Sequence, residues 1–329
     1  MRVVSLGSGS SGNALLVEAG PQRRTKLLVD AGLSARIISE RLLSVGVHPA
    51  QLQGILITHE HSDHVLGLPV LTKRYSLPMI TDPRTYEVIE QSLTSGVWRT
   101  DSGTLIPAAT SIEIETQTLV AASGAASYRL DEGVVTVDVE NENENENALF
   151  PSIALPVNSQ RTIGDIEVAS FSISHDAIAP CGYLLSAGGC RVCIVTDSGE
   201  VTPEMLQMMR QADLLIIEAN HDRERLLRGP YPQNLKMRIL SRTGHLSNDQ
   251  AADAILRTWR TDSVRWLWLS HLSRTNNTPT LALKGVRARL QEAGANLAQV
   301  HISTLPPDMG RVWDSTQLWQ ATSLWDMGQ

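Results

Sequence analysis

The sequence predicts an α/β layered fold, on three observations. Short apolar strands alternate with helical patterns along most of the 329 residues, several of those strands stop at a His or Asp, and the chain is long enough to bury a sizeable core. A hydrophobic content of 42% with 19% charged residues is ordinary for a globular protein, and no apolar run approaches the roughly 18 residues of a membrane span. The opening "MRVVSLGSGSSGN" reaches a Gly/Ser cluster too early to hold an export signal, so a cytoplasmic protein with no membrane segment is expected.

The run "GSGSSGN", residues 7–13, reads as a tight hairpin between the first two strands. Its alternative is a cradle of backbone N–H groups for a phosphate, with Asn13 at the substrate. Residues 34–45 read as a helix: Ser34 caps it, apolar residues recur at helical spacing, and Gly46 stops it. "LQGILIT" follows as a strand, and "IEVASFSIS", "RVCIVTD", "ADLLIIEA" and "RWLWLSH" are strands further on. Helices begin after Thr202, with Pro203 in the first turn, and after Ser247, where Gln250 completes a capping box.

From about 92 to 160 Ser, Thr, Ala and acids dominate, and "ENENENEN" has nothing apolar to bury, so this stretch reads as an insertion with "VVTVDVE" as an edge hairpin. Its nine acids against Arg129 between Glu113 and Glu146 carry −8, so the rest of a chain of net charge −7 sums to +1. Residues 1–305 are expected to form one domain, and 306–329 a C-terminal extension. In that extension Trp313, Trp319 and Trp325 recur every six residues, which aligns the rings on an extended chain and suits docking onto the protein's own surface. The three cysteines, Cys181, Cys190 and Cys193, are too few for a disulfide framework; Cys190 and Cys193 face opposite sides of a strand and read as small buried hydrophobes.

The chemistry concentrates in "ILITHEHSDH", residues 55–64. His59 and His61 alternate, so both imidazoles point one way in an extended segment, while Asp63 and His64 lie where the next helix begins. One short loop thereby serves two metals, and HxHxDH after an apolar strand is far more specific than a lone histidine. Imidazole and carboxylate donors without thiolate suit Zn²⁺ and also admit Mn²⁺. Two such ions about 3.5–4 Å apart would supply a bridging hydroxide near neutral pH and stabilise developing negative charge.

With HxHxDH at a strand end the sequence resembles the metallo-β-lactamase superfamily, which implies a four-layer αβ/βα metallo-β-lactamase fold. The resemblance implies that His59, His61 and His175 hold one ion, that Asp63, His64 and His271 hold the other, and that Asp197 bridges them. "LGSGSSGN", "THEHSDH", "TDSG", "IEANHD", "GPYPQNLKMRILSRTGHLSN" and "SHLSRTNNTP" make residues 1 to about 90 and about 162 to 300 similar to the YycJ (WalJ, VicX) group of bacterial proteins. That similarity implies a zinc- or manganese-dependent exonuclease acting on duplex DNA from the 5′ end. RNase Z-like nucleases place a histidine ahead of a similar helix, at the scissile phosphate, and His245 in "GHLSNDQAADAI" resembles it as phosphate binder or general acid.

Other features agree with a nucleic acid substrate. Between His221 and His245 six bases (Arg223, Arg225, Arg228, Lys236, Arg238 and Arg242) face two acids, a local excess of +4 that can neutralise backbone phosphates or merely form a solvated face. His245 and Ser247 lie at a helix N-terminus, a natural phosphate site, and His221 follows a strand end, where substrate contact competes with a structural hydrogen bond. Asp63 doubles as ligand and proton acceptor in this reading, and Arg238 and Arg242 meet substrate. Two other readings compete: a thioesterase or small-molecule phosphodiesterase of the same fold, and a metal-bound adaptor holding a protein partner through the insertion or the tail.

Overall fold

The computed structural model describes residues 1–100, 104–107, 149–261 and 263–318. Strands β1 (Arg2–Gly7), β2 (Ala14–Ala19), β3 (Thr25–Val29), β4 (Gly54–Leu56) and β5 (Met79–Thr81) precede a small hairpin, β6 (Val97–Arg99) and β7 (Leu105–Pro107). β8 (Ser152–Ala154), β9 (Gln160–Ile163), β10 (Ile166–Ser172), β11 (Cys181–Ala187) and β12 (Cys190–Val195) follow. The last are β13 (Leu214–Glu218), β14 (Arg265–Ser270), β15 (Val300–Thr304) and β16 (Val312–Asp314). They build two seven-stranded sheets, ordered β16-β1-β2-β3-β4-β5-β8 and β15-β14-β13-β12-β11-β10-β9.

Side-chain alternation explains the layering. In β14 Trp266 and Trp268 enter the core between the sheets, while Leu267 and Leu269 pack outward under helices. The same split holds in β13, with Leu214 and Ile216 inward and Leu215 and Ile217 outward, so these strands read as continuous apolar runs. The first sheet's outer face is covered by α1 (Ala35–Ser44), α3 (Leu68–Tyr75) and α4 (Pro83–Ser95), which bury Ile38, Leu71 and Ile89. On the second sheet lie α5 (Pro203–Met209), α8 (Asn248–Arg257) and α9 (Pro279–Glu292), through Met205, Ile255 and Val286. Three short helices, α2 (Ser62–Val65), α6 (Arg223–Arg228) and α7 (Gln233–Ile239), stand at the edge where the site forms. The result is helix, sheet, sheet, helix. Each fully buried leucine or isoleucine contributes roughly 1.5–3 kcal/mol.

The helix stops and starts follow the expected residues. Ser34 accepts from Ile37 N–H and Gly46 adopts φ +82°; Thr202 caps α5; Ser247 and Gln250 form a reciprocal capping box at α8. Cys190 lies in the inter-sheet core and Cys193 in the outer one, and burial pushes both thiols up to about 12, which leaves no thiolate to bind metal.

Two boundaries differ from expectation. Ser152–Ala154, inside the stretch read as an insertion, pairs in parallel with β5, and Trp98 is buried in the core under the first sheet, so the interruption is narrower than 92–160. The extension past residue 305 supplies the edge strand β16, paired with β1 and burying Trp313 beside Trp266 at 6.2 Å. "VVTVDVE", "ENENENEN", Trp319 and Trp325 lie outside the described residues. Among the described residues no helix is long and apolar enough to cross a membrane.

Candidate metal centre

Strand direction gathers the site. β12, β13 and β14 run parallel with Val195 beside Ile217 and Glu218 beside Ser270, so Asp197, Glu218 and His271 emerge at one sheet edge. β3 and β4 are likewise parallel and deliver Asp30, Thr58 and His59 from the facing sheet. Asp30, Asp197 and His271 are non-glycine residues at φ 59°, 45° and 53°, left-handed turns that aim strand-end side chains at a common centre. The loop of residues 8–13 locks onto the HxHxDH turn through Asn13 N–H to the Asp63 carbonyl at 2.8 Å. Gly32 makes that approach possible, because a Cβ there would lie 1.6 Å from the Asp63 carbonyl oxygen.

The donors form the expected two groups. His59, His61 and His175 converge, with ring centroids 4.8–5.1 Å apart and His61 Nδ1 3.3 Å from His175 Nε2. Asp63, His64 and His271 form the second group, with His271 Nε2 3.3 Å from Asp63 Oδ2. A tetrahedron with bonds of about 2.0–2.1 Å has edges of about 3.3 Å, so these are separations that ligands of one ion would have. Asp197 lies against the second group, Oδ2 3.0 Å from His64 Nε2 and Oδ1 2.7 Å from His271 Nδ1, and its carboxylate also comes together with His59 of the first group.

Neighbouring acceptors set the tautomers. His64 Nδ1 donates to Asp30 Oδ2 at 2.8 Å, His59 Nδ1 to Thr58 Oγ1 at 3.0 Å, and His175 Nδ1 to the Gly244 carbonyl at 3.1 Å. Each leaves Nε2 with its lone pair toward the centre, the arrangement a ligating imidazole needs.

The residues fit a pair of divalent cations. The Nε2 atoms of His59 and His271 and both Asp63 carboxylate oxygens are buried without a well-directed hydrogen bond, a cost of about 1–3 kcal/mol each unless something charged meets them. Burial and the surrounding imidazoles hold His59 well below the ordinary histidine range, as a ligand nitrogen requires. Burial would depress His64 and His271 too, yet carboxylates outweigh it: Asp30, Asp197 and Asp63 raise His64, and Asp197 raises His271. Buried carboxylates therefore demand positive charge at this spot, and divalent cations supply it without occupying a nitrogen lone pair with a proton.

Two acids escaped the sequence reading. Asp30 closes "LLVD" and Glu218 closes "LLIIE", the same signal of an acid ending an apolar strand that marked Asp197. Glu218 is fully buried: Oε1 accepts from His245 Nδ1 at 2.7 Å and His271 Nδ1 at 3.0 Å, and Oε2 from Ser198 N–H at 2.9 Å and Leu246 N–H at 3.1 Å. Burial alone would raise its pKa, but the His245 and His271 contacts keep it below the ordinary range.

Beside the centre opens a cleft of about 290 Å³ whose walls include Asp63, His175, His245 and Arg238. The other expected substrate residues lie elsewhere. Asn13 is buried, its amide spent on Gly9 and the Asp63 carbonyl, with Nδ2 3.2 Å from the His64 Nε2 that a cation would take, because the tight loop needs those bonds to hold shape. The Ser247 hydroxyl is buried as a helix cap, and His221 is fully buried beside it in an isolated bridge, where burial brings its pKa down to about 4. Arg242 points to Glu200 at 2.8 Å, away from the cleft walls. The local excess of +4 is also reduced in space: Arg238 pairs with Asp176 at 3.0 Å, Arg228 with Glu224 at 3.6 Å, and Lys236 is buried against the Leu227 carbonyl.

Comparison with known proteins gives three findings. A family model for the Metallo-beta-lactamase superfamily matches residues 7–208. The chain is 34% identical over 277 residues, 84% of its own length and 83% of the relative's, to "Exodeoxyribonuclease WalJ" of Streptococcus pneumoniae serotype 2. It is 32% identical over 294 residues, 89% and 90% of the two lengths, to "Exodeoxyribonuclease YycJ" of Bacillus anthracis. The crystal structure of the metallo-beta-lactamase fold protein YhfI from Bacillus subtilis superposes with a TM-score of 0.58 at 16% identity, covering 95% of this chain and 99% of that one.

Proposed function

The chain belongs to the metallo-β-lactamase superfamily, and from that membership and its likeness to exodeoxyribonucleases of two bacteria we propose that it is a metal-dependent DNA exonuclease, working from the 5′ end of duplex DNA. The observation that carries the proposal is the meeting of seven donors from four separated stretches of chain in one buried centre open to a cleft.

In this reading His59, His61 and His175 hold one divalent cation, Asp63, His64 and His271 the other, and Asp197 lies between them. Zn²⁺ and Mn²⁺ both suit the donors. Bound there, the cations supply an activated water and compensate charge developing on the phosphoryl oxygens. Asp63, at the cleft wall, takes the proton of the attacking water. His245 gives its Nδ1–H to Glu218, which leaves Nε2 to hold a proton for the departing 3′ oxygen, while the buried Glu218 carboxylate stabilises the imidazolium. Arg238 lies on the same cleft wall and offers a guanidinium to a backbone phosphate.

We further read the catalytic domain as running from residue 1 through β16, place the protein in the cytoplasm, and regard the insertion or the C-terminal tail as the surface a protein partner would use. Release of nucleotides from 5′-phosphorylated duplex DNA is measured with Mn²⁺ and with Zn²⁺. No release by the wild type, or equal release by Asp197→Ala, refutes the proposal.

A further inference from the structure

The outer half of the cleft is not needed to hold metal. One wall is apolar and aromatic, formed by Tyr231, Leu235 and Ile239. Pro230 and Pro232 flank Tyr231 and fix the backbone on either side of it, so little conformational freedom is lost when its ring meets a ligand. Leu235, Arg238 and Ile239 share one face of α7, which places a guanidinium next to the apolar wall.

At the lip, Arg99 and Arg238 both reach Asp176 Oδ2, each at 3.0 Å, so two cations share one carboxylate next to His175. Arg99 gets there by strand alternation: Trp98 is buried, and the following side chain turns the other way and keeps 46% exposure. An aromatic wall, a net positive lip and a metal centre in one small cleft match the parts of one nucleotide, since a base stacks on an aromatic face and a phosphate takes guanidinium N–H groups.

Resting on the nuclease reading above, the geometry points to a terminal-nucleotide subsite in this cleft, with Tyr231 against the base and the Arg99–Asp176–Arg238 cluster on a phosphate of an unpaired strand end. A cleft of about 290 Å³ is at the small end for a ligand pocket and suits one nucleotide drawn out of the stack rather than a base pair. A duplex substrate therefore gives up its terminal pair to enter, and the opening cost is smallest where the end is already unpaired.

The test is fluorescence anisotropy of the full-length, metal-loaded protein with a 5′-phosphorylated, hydrolysis-resistant phosphorothioate oligonucleotide. The oligonucleotide is presented as a single strand, as a blunt duplex and as a duplex with a short unpaired 5′ end. Tyr231→Ala and Arg99→Ala should each weaken single-strand binding about tenfold, and Tyr231→Phe should restore it to within about twofold of wild type. The unpaired end should bind more tightly than the blunt one. Wild-type affinity in Tyr231→Ala or Arg99→Ala, or blunt ends bound as tightly as unpaired ones, overturns the subsite. Binding with the expected pattern but no nucleotide release in the metal panel leaves the subsite standing and removes the nuclease reading; cleavage by wild type with no binding loss in the variants does the reverse.

Discussion

Glu218 Oε1 stands 2.7 Å from His245 Nδ1 and 3.0 Å from His271 Nδ1, so one buried carboxylate orients both the histidine on the cleft wall and a histidine of the metal group. Glu218→Gln keeps the shape but presents an amide N–H group to at least one former donor. The expected result is a fall of about 10–100-fold in kcat or in metal affinity. Metal titration alongside steady-state kinetics checks it, and wild-type values for both would remove Glu218 from the site.

His245→Ala separates leaving-group protonation from metal holding. Two metals per chain should remain, while DNA cleavage falls about 10²–10⁴-fold. Bis-p-nitrophenyl phosphate, whose leaving group departs without a proton, should suffer much less. Equal losses on both substrates would show that His245 acts through binding or structure.

Chelation followed by reconstitution tests the donor set itself. Elemental analysis should find about two divalent ions per chain in reconstituted wild type. Asp197→Ala, which removes the carboxylate lying 3.0 Å from His64 Nε2 and 2.7 Å from His271 Nδ1, should retain fewer. An undiminished metal content in that variant contradicts the bridging position.

Gly32→Ala should cost roughly 1–3 kcal/mol or more of stability, because the new Cβ would fall 1.6 Å from the Asp63 carbonyl oxygen and the backbone must move. Urea unfolding measures the loss. Displacing the turn also moves Asp63 and His64, so the variant should bind metal more weakly as well.

His221 predicts a pH effect on stability. Its folded-state pKa of about 4 lies below the unfolded value of about 6.5, so below about pH 6.5 the unfolded chain takes up a proton that the folded chain refuses. Stability therefore falls as pH drops from about 6.5 to 4, by up to about 3 kcal/mol from this residue. His221→Leu should flatten that part of the profile at fixed metal concentration; parallel curves for variant and wild type would exclude the contribution.

The sequence determined the parts that local pattern controls. HxHxDH lies within six residues, its geometry follows from an extended segment running into a helix, and the strand-end acids and histidines could be read one at a time. Ser34, Thr202 and Ser247 marked helix starts because a cap acts within its own first turn. Tertiary structure alone decided which distant groups meet. Asp30 with His64 depends on the parallel register of β3 and β4, and Glu218 with His245 on strand order and the parallel register of β12, β13 and β14, which no short window contains. The same holds for charge: Arg238 and Arg242 look free in a basic segment, yet Asp176 and Glu200 reach them from far along the chain. Local periodicity dictates where a side chain points, whereas its partner is set by how whole sheets stack, and a hydrogen bond or ion pair exists only once both are in place.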